Sequence, residues 1–410
     1  MALRDFLPAL EPVASPLVLF GLILLAGLVG GEFSRRALAL PRITGYVAIG
    51  LALGPFGLNW LDHGSIESAG AIVDFAVGLV LFELGQRLDL RWLRRDPWLA
   101  VTGVAEAGLS FVCMYGVLIW FGIEPLFAAF AAAIGMATSP AVVLLVAKEM
   151  KAEGQVTERA LCLTALNGVI AFTTVTLLTA LVHIEYQAGR LVALLQPTYV
   201  LLGSLLLGLL AAHLAIIGAR MLGKREERQF AMHVAMLVLA VGLCEVLKLS
   251  VLVALLTFGI LARNLDRNRW LMSINTGFAG QIFYVVLFVL LGAALRPDQL
   301  GTGGLVAIVF VLARFVGKSA GVMLFAPLSR LRPGSAGLLS LALVPMSGLA
   351  LMLAQGPGNL YPEFGAKLSA VVLAAAVILE LIGPLAAQFA LRRAGETEHL
   401  PEARYGSPAV

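Results

Sequence analysis

Apolar stretches of about 20 residues, the length at which an α-helix crosses roughly 30 Å of hydrocarbon, recur along the chain with short hydrophilic breaks between them. The pattern predicts about thirteen membrane helices, over 14–34, 43–60, 66–88, 97–121, 124–147, 157–182, 197–220, 229–247, 249–263, 275–295, 301–327, 335–355 and 365–391. The narrowest breaks fall at Gly122-Ile123 and at Lys248. Two of the segments are themselves interrupted, the fifth by Thr138-Ser139-Pro140 and the twelfth by Pro345-Met346-Ser347-Gly348. Backbone groups freed at such depth have no water to bond and need protein or a wet cavity instead. The two interrupted segments are an odd number of segments apart and so run in opposite directions. Segments four to six and eleven to thirteen then form inverted repeats, and paired interruptions of that kind point to a secondary transporter with a binding site at the bilayer midplane.

Composition agrees with the pattern. Of 410 residues 60% are hydrophobic and 13% charged, against about 25% charged in soluble domains. The chain reads as an all-α polytopic membrane protein, with a membrane unit over 1–393 and a short polar tail over 394–410. Its formal charge of +4 does not indicate nucleic acid, because the basic residues sit in loops and report topology. Arg35, Arg36, Arg42, Arg87, Arg91, Arg94, Arg95, Lys224, Arg225 and Arg228 are among those in odd-numbered loops, while the other side keeps Arg4, Arg190, Lys248, Arg296 and Lys367. By the positive-inside rule the N-terminus lies outside and the C-terminus in the cytoplasm, in a multi-pass protein of the inner or plasma membrane. Met1–Pro12 lacks a basic flank and a small-residue cleavage site, so no removable signal is expected.

Candidate chemistry lies inside the apolar segments. Arg314 and Lys318 are four apart on one face of the eleventh, and two cations in a membrane helix call for a cavity or a partner. Glu106 in the fourth segment and Glu380 in the thirteenth are the candidate partner acids, with a structural salt bridge to Arg314 as the simplest reading for either. Thr138, Ser139 and Ser347 stand where unwound backbone exposes carbonyls at one half-helix end and amides at the other. Pairs such as Gly317/Gly321 allow close helix approach. Cys113, Cys162 and Cys244 lack ligand spacing and His213 and His233 are single, so neither metal nor disulfide is expected. No cofactor is implied, and no hydrolase elbow, zinc-protease helix, phosphate loop or dinucleotide fingerprint suggests an enzyme.

These residues resemble the monovalent cation:proton antiporter superfamily, in particular its Kef-type potassium systems and bacterial sodium/proton exchangers. The resemblance rests on Thr44-Gly45-Tyr46 to Gly54-Pro55-Phe56-Gly57, Leu81-Phe82-Glu83-Leu84-Gly85, Leu247-Lys248-Leu249-Ser250, Arg314 to Gly317-Lys318, and Glu380 to Gly383-Pro384, in that order over nearly the whole chain. It implies thirteen helices, a core moving against a dimerisation scaffold, broken helices five and twelve crossing at the midplane, and a homodimer. It also implies a helix-six Asn-Asp or Asp-Asp pair whose second carboxylate binds cation and proton in competition. Asn167 matches the first member, but Gly168 stands where the aspartate is expected.

The expected function is therefore alternating-access antiport of Na+ or K+ against protons, through Thr138, Ser139, Asn167, Ser347 and Lys318, supported by Glu106, Arg314 and Glu380 around the breaks at Pro140, Pro345 and Gly348. With the aspartate gone, Glu106, Glu380 or Lys318 has to carry the proton. An anion or small organic acid carrier on the same fold is the alternative, and a non-transporting sensor subunit a third.

Overall fold

A computed structural model describes residues 16–62, 64, 66, 69–185, 190–266, 270–271, 277–295, 299–346 and 362–397. Among these residues the secondary structure is helical throughout: α1 Pro16–Leu38, α2 Arg42–Leu53, α3 Gly70–Arg87, α4 Leu90–Arg95, α5 Pro97–Trp120, α6 Pro125–Gly135, α7 Pro140–Glu149, α8 Gln155–Glu185, α9 Arg190–Leu222, α10 Glu226–Val246, α11 Val251–Leu265, α12 Gly277–Ala294, α13 Gln299–Phe325, α14 Pro333–Ala342 and α15 Pro362–Arg393. Each predicted segment finds a helix among the described residues, and of the twelfth only 335–346 are described. Eight spans are long and apolar enough to cross a membrane by length and composition, α6 and α7 counting together as one. Ser347 and Gly348 lie outside the described residues.

The narrow breaks have local causes. Gly122 takes a left-handed φ of 76° between α5 and α6, and Lys248 takes 53° between α10 and α11, the conformation that ends a helix. Ser250 then caps α11 by accepting the Val253 N–H at 3.3 Å. The second segment ends at Leu53, earlier than its apolar run suggests, because Pro55 disfavours helical backbone in Gly54 before it. Hydropathy also gave no sign of α4, a short helix between membrane segments whose N-cap Asp89 accepts from the Arg91 N–H.

Small residues set the closest approaches. On α13, a Cβ at Gly317 would strike the Ser110 backbone and one at Gly321 the Glu106 backbone, so α5 and α13, the counterpart helices of the two repeats, touch through bare backbone. On the other flank Gly50 of α2 and Gly54 just past its end meet Val289 and Ala293 of α12, and Gly85 of α3 meets Gly259 of α11. These contacts draw α1, α2, α3, α11 and α12 into one packed layer and leave α5 to α8 and α13 to α15 around the two breaks.

The odd-numbered loops gather at one end. The Arg42 N–H donates to Glu149, Arg159 pairs with Asp96, Gln229 donates to the Trp270 carbonyl, and Glu396 of the tail bonds Val156 and Thr157. A cavity of about 1100 Å³ there is lined by Arg87, Asp89, Trp92, Asp96, Glu158 and Arg263 among others. A smaller one, about 320 Å³, opens by Leu118, Gly122, Glu124 and Phe127, at the far end of α5.

Candidate functional site

The site begins with two prolines that cannot continue a helix. Pro140 has no N–H to donate and forces Ser139 into extended backbone, φ −71° and ψ 110°. As a result α6 stops at Gly135 and α7 restarts at Pro140. Pro345 acts alike: α14 stops at Ala342 and the chain runs on unwound through Met346. The two unwound stretches meet, since the Ser139 N–H donates to the Pro345 carbonyl at 3.0 Å and the Thr138 hydroxyl to the Leu343 carbonyl at 3.3 Å. The fifth and twelfth predicted segments thus cross at their breaks, as expected.

Two helix C-termini, each the negative end of a dipole, converge there, and Arg314 answers both. Its Nε donates to the Gly135 carbonyl at 2.7 Å, Nη1 to Val344 at 2.7 Å, and Nη2 to Ala137 at 2.9 Å and to Pro345 at 3.3 Å. A planar fork of donors suits four fixed carbonyls better than a point charge would. The salt bridge expected between Arg314 and an acid does not form, because the guanidinium is taken up by backbone.

Lys318, one turn further along α13, holds the acid instead. Its ammonium pairs with Glu106 of α5 and also donates to the Met136 carbonyl at 2.9 Å and to Thr138 Oγ1 at 3.2 Å, which uses all three of its protons. Both side chains are buried, at 1% and 0% exposure. Asn167 of α8 completes the cluster: its Nδ2 donates to Glu106 Oε2 at 3.2 Å, to Oε1 at 3.4 Å and to Thr138 Oγ1 at 3.1 Å. Three helices, α5, α8 and α13, therefore meet on one carboxylate, with Thr138 of the unwound stretch bonded to both of its partners.

Of the residues expected at the site, Thr138, Asn167, Lys318 and Glu106 come together and Arg314 sits beside them. Ser139 serves as the N-cap of α7, its hydroxyl accepting the Val142 N–H at 3.3 Å. Glu380 is buried on α15 and makes no bond to the cluster. Gly168 is buried with space beside it, for a Cβ would meet only Leu252 at 3.9 Å. Next to that space two buried oxygens accept no hydrogen bond, Asn167 Oδ1 and Thr164 Oγ1. Thr164 was not singled out from sequence, although it stands one turn before Asn167 and Gly168 on α8. Glu83 accepts from Lys148 and Tyr284 and so ties α3 to α7 and α12.

The transmembrane family described as sodium/hydrogen exchanger matches residues 20–393. The chain belongs to that family. It is a membrane transporter and not an enzyme. Among solved structures, two of the sodium proton antiporter MjNhaP1 from Methanocaldococcus jannaschii are similar to this exchanger-family chain. One, determined at pH 8, has a TM-score of 0.66 and covers 92% of this chain and 95% of its own. The other, an electron-microscopy map, has a TM-score of 0.72 and covers 93% and 98%. Both are 17% identical to it, so they speak to the fold of this exchanger. Comparison with curated proteins by sequence gives no match.

Proposed function

We propose that this protein exchanges a monovalent cation, Na+ or K+, for protons by alternating access around the crossed breaks, and that Glu106 and Lys318 together perform the competition a helix-six aspartate performs in the family resemblance. The observation that carries the reading is the ion pair itself. A buried pair is a weak source of stability, since the desolvation of both charges offsets their attraction, and ionisable residues at this depth mark ion or proton pathways.

In the state described, the Lys318 ammonium occupies the carboxylate. A cation arriving through the space beside Gly168 meets the free oxygens of Asn167 and Thr164 and takes Glu106 from Lys318. Lys318, left without its counter-charge in a low-dielectric site, releases one proton to the open side. Cation and proton then replace each other with the charge of the site unchanged. The large cavity reaches Glu158 on α8, nine residues or about 14 Å along the helix from Asn167, and supplies a polar approach from that end. An anion carrier would need spare positive charge at the midplane; Lys318 is balanced by Glu106 and Arg314 by four carbonyls, which leaves none among the described residues.

The same reading places the protein in the inner or plasma membrane with its odd-numbered loops and tail cytoplasmic, working as a homodimer. Purified protein in liposomes with a pH dye inside tests it. Steps of external Na+ or K+ should drive proton efflux, and silence towards both over a broad pH range would defeat the proposal.

A further inference from the structure

A second buried carboxyl stands apart from the pair. Glu380 on α15 is 2% exposed, its Oε1 has no hydrogen-bond partner, and its helix neighbours Ala376, Val377 and Leu379 are buried and apolar. Three residues on, and so on the same face, Gly383 packs against the second break: a Cβ there would stand 2.7 Å from Pro345 Cα. Glu380 is thus turned towards the crossing.

Among the described residues no counter-charge is left over for it. The helices packed on α15 are α2, α6, α7, α13 and α14, and their charged groups are engaged elsewhere. Arg314 bonds four carbonyls and Lys318 bonds Glu106. Lys148 pairs with Glu83, and Arg42 pairs with Glu32 and Glu149. Tyr46 of α2 lays its ring where a Gly31 side chain would be. Along α15 itself Arg392 is twelve residues away, about 18 Å of helix. An ionised carboxylate without a partner at this depth costs several kcal/mol, so the group stands as a neutral acid.

We propose that Glu380 is a second proton-binding site, whose O–H gives its proton to water when the site faces one side of the membrane and whose carboxylate takes a proton from water when the site faces the other. Its transport consequence rests on the antiport reading: one proton per cycle in addition to the one released by Lys318.

Infrared difference spectroscopy of the purified protein tests the site without any flux. A protonated-carboxyl C=O band at neutral pH should disappear in Glu380→Gln and persist in Glu106→Gln. In liposomes, the protons moved per cation should fall by one in Glu380→Gln. Gln is isosteric with the neutral acid; should that variant fail to fold, Glu380→Met, apolar and similar in volume, gives the same readings. Absence of a band assignable to Glu380, or an unchanged proton count, overturns the proposal. A band at Glu380 in a protein that moves no cation would overturn the antiport reading while leaving the proton site in place.

Discussion

Glu106 and Lys318 illustrate how one residue can answer for another at a distance in sequence. On the proposed reading the carboxylate expected on α8 at Gly168 is supplied from α5, where Glu106 accepts from the Asn167 amide. If the pair is kept for exchange rather than stability, its two halves should behave unequally in denaturation. Glu106→Leu alone leaves Lys318 buried and uncompensated and should cost about 3–5 kcal/mol, whereas Glu106→Leu with Lys318→Met should recover most of that loss. Thermal unfolding in detergent reads both, and a double variant as unstable as the single one would show that the pair is structural. Gly168 gives a contrasting case. It is a helix-interior glycine with open space at its Cβ, so Gly168→Ala should raise stability by roughly 0.5–1 kcal/mol, measured in the same way. From sequence the identity of every cluster member except Thr164 was legible, because charged and hydroxyl residues stand out in apolar segments. Their pairing was not: Arg314 and Lys318 share a helix face, and only the position of the α6 and α14 carbonyls decides which of them meets the acid.

Elements are held at this site by close backbone contact and by caps. Gly321 of α13 lies on the Glu106 backbone, while Gly108, two residues along α5, has nothing within 4 Å of its Cβ position. Gly321→Ala should therefore destabilise by about 1–3 kcal/mol through overpacking and Gly108→Ala should not, a comparison made by thermal unfolding of the two variants. A second prediction concerns the tail. Glu396 accepts the Val156 and Thr157 N–H groups and the Thr157 hydroxyl, each at 2.8 Å, and so caps α8, the helix that carries Asn167. Glu396→Ala should cost about 1–2 kcal/mol, as loss of an N-cap does, and hydrogen exchange of the first turn of α8 should rise with it. Equal protection in both proteins would contradict the cap. Helix existence, and the breaks at Gly122, Lys248, Pro140 and Pro345, followed from hydropathy and from residues that cannot continue a helix. The Glu396 cap did not, because a polar tail carries no periodicity and its partner lies about 240 residues earlier.

For the whole molecule, two cavities at opposite ends of α5 flank a cluster whose charges balance internally, and the loops rich in arginine and lysine gather at the larger cavity. The charge pattern along the chain anticipated that arrangement, since it required an odd number of crossings; which end faces which compartment is a matter for labelling in cells. Cysteines placed at Arg94 and Glu124 in a variant otherwise free of cysteine should react with a membrane-impermeant maleimide only after permeabilisation for the first and in intact cells for the second. The reverse pattern would invert the topology. Exchange at the Glu106–Lys318 pair is the claim on which the rest depends, and proton efflux driven by Na+ or K+ in liposomes, compared between the wild type and Glu106→Gln, measures it most directly. Wild-type vesicles that respond and Glu106→Gln vesicles that do not, with both proteins folded and equally incorporated, are the predicted result. Undiminished exchange in Glu106→Gln would contradict it.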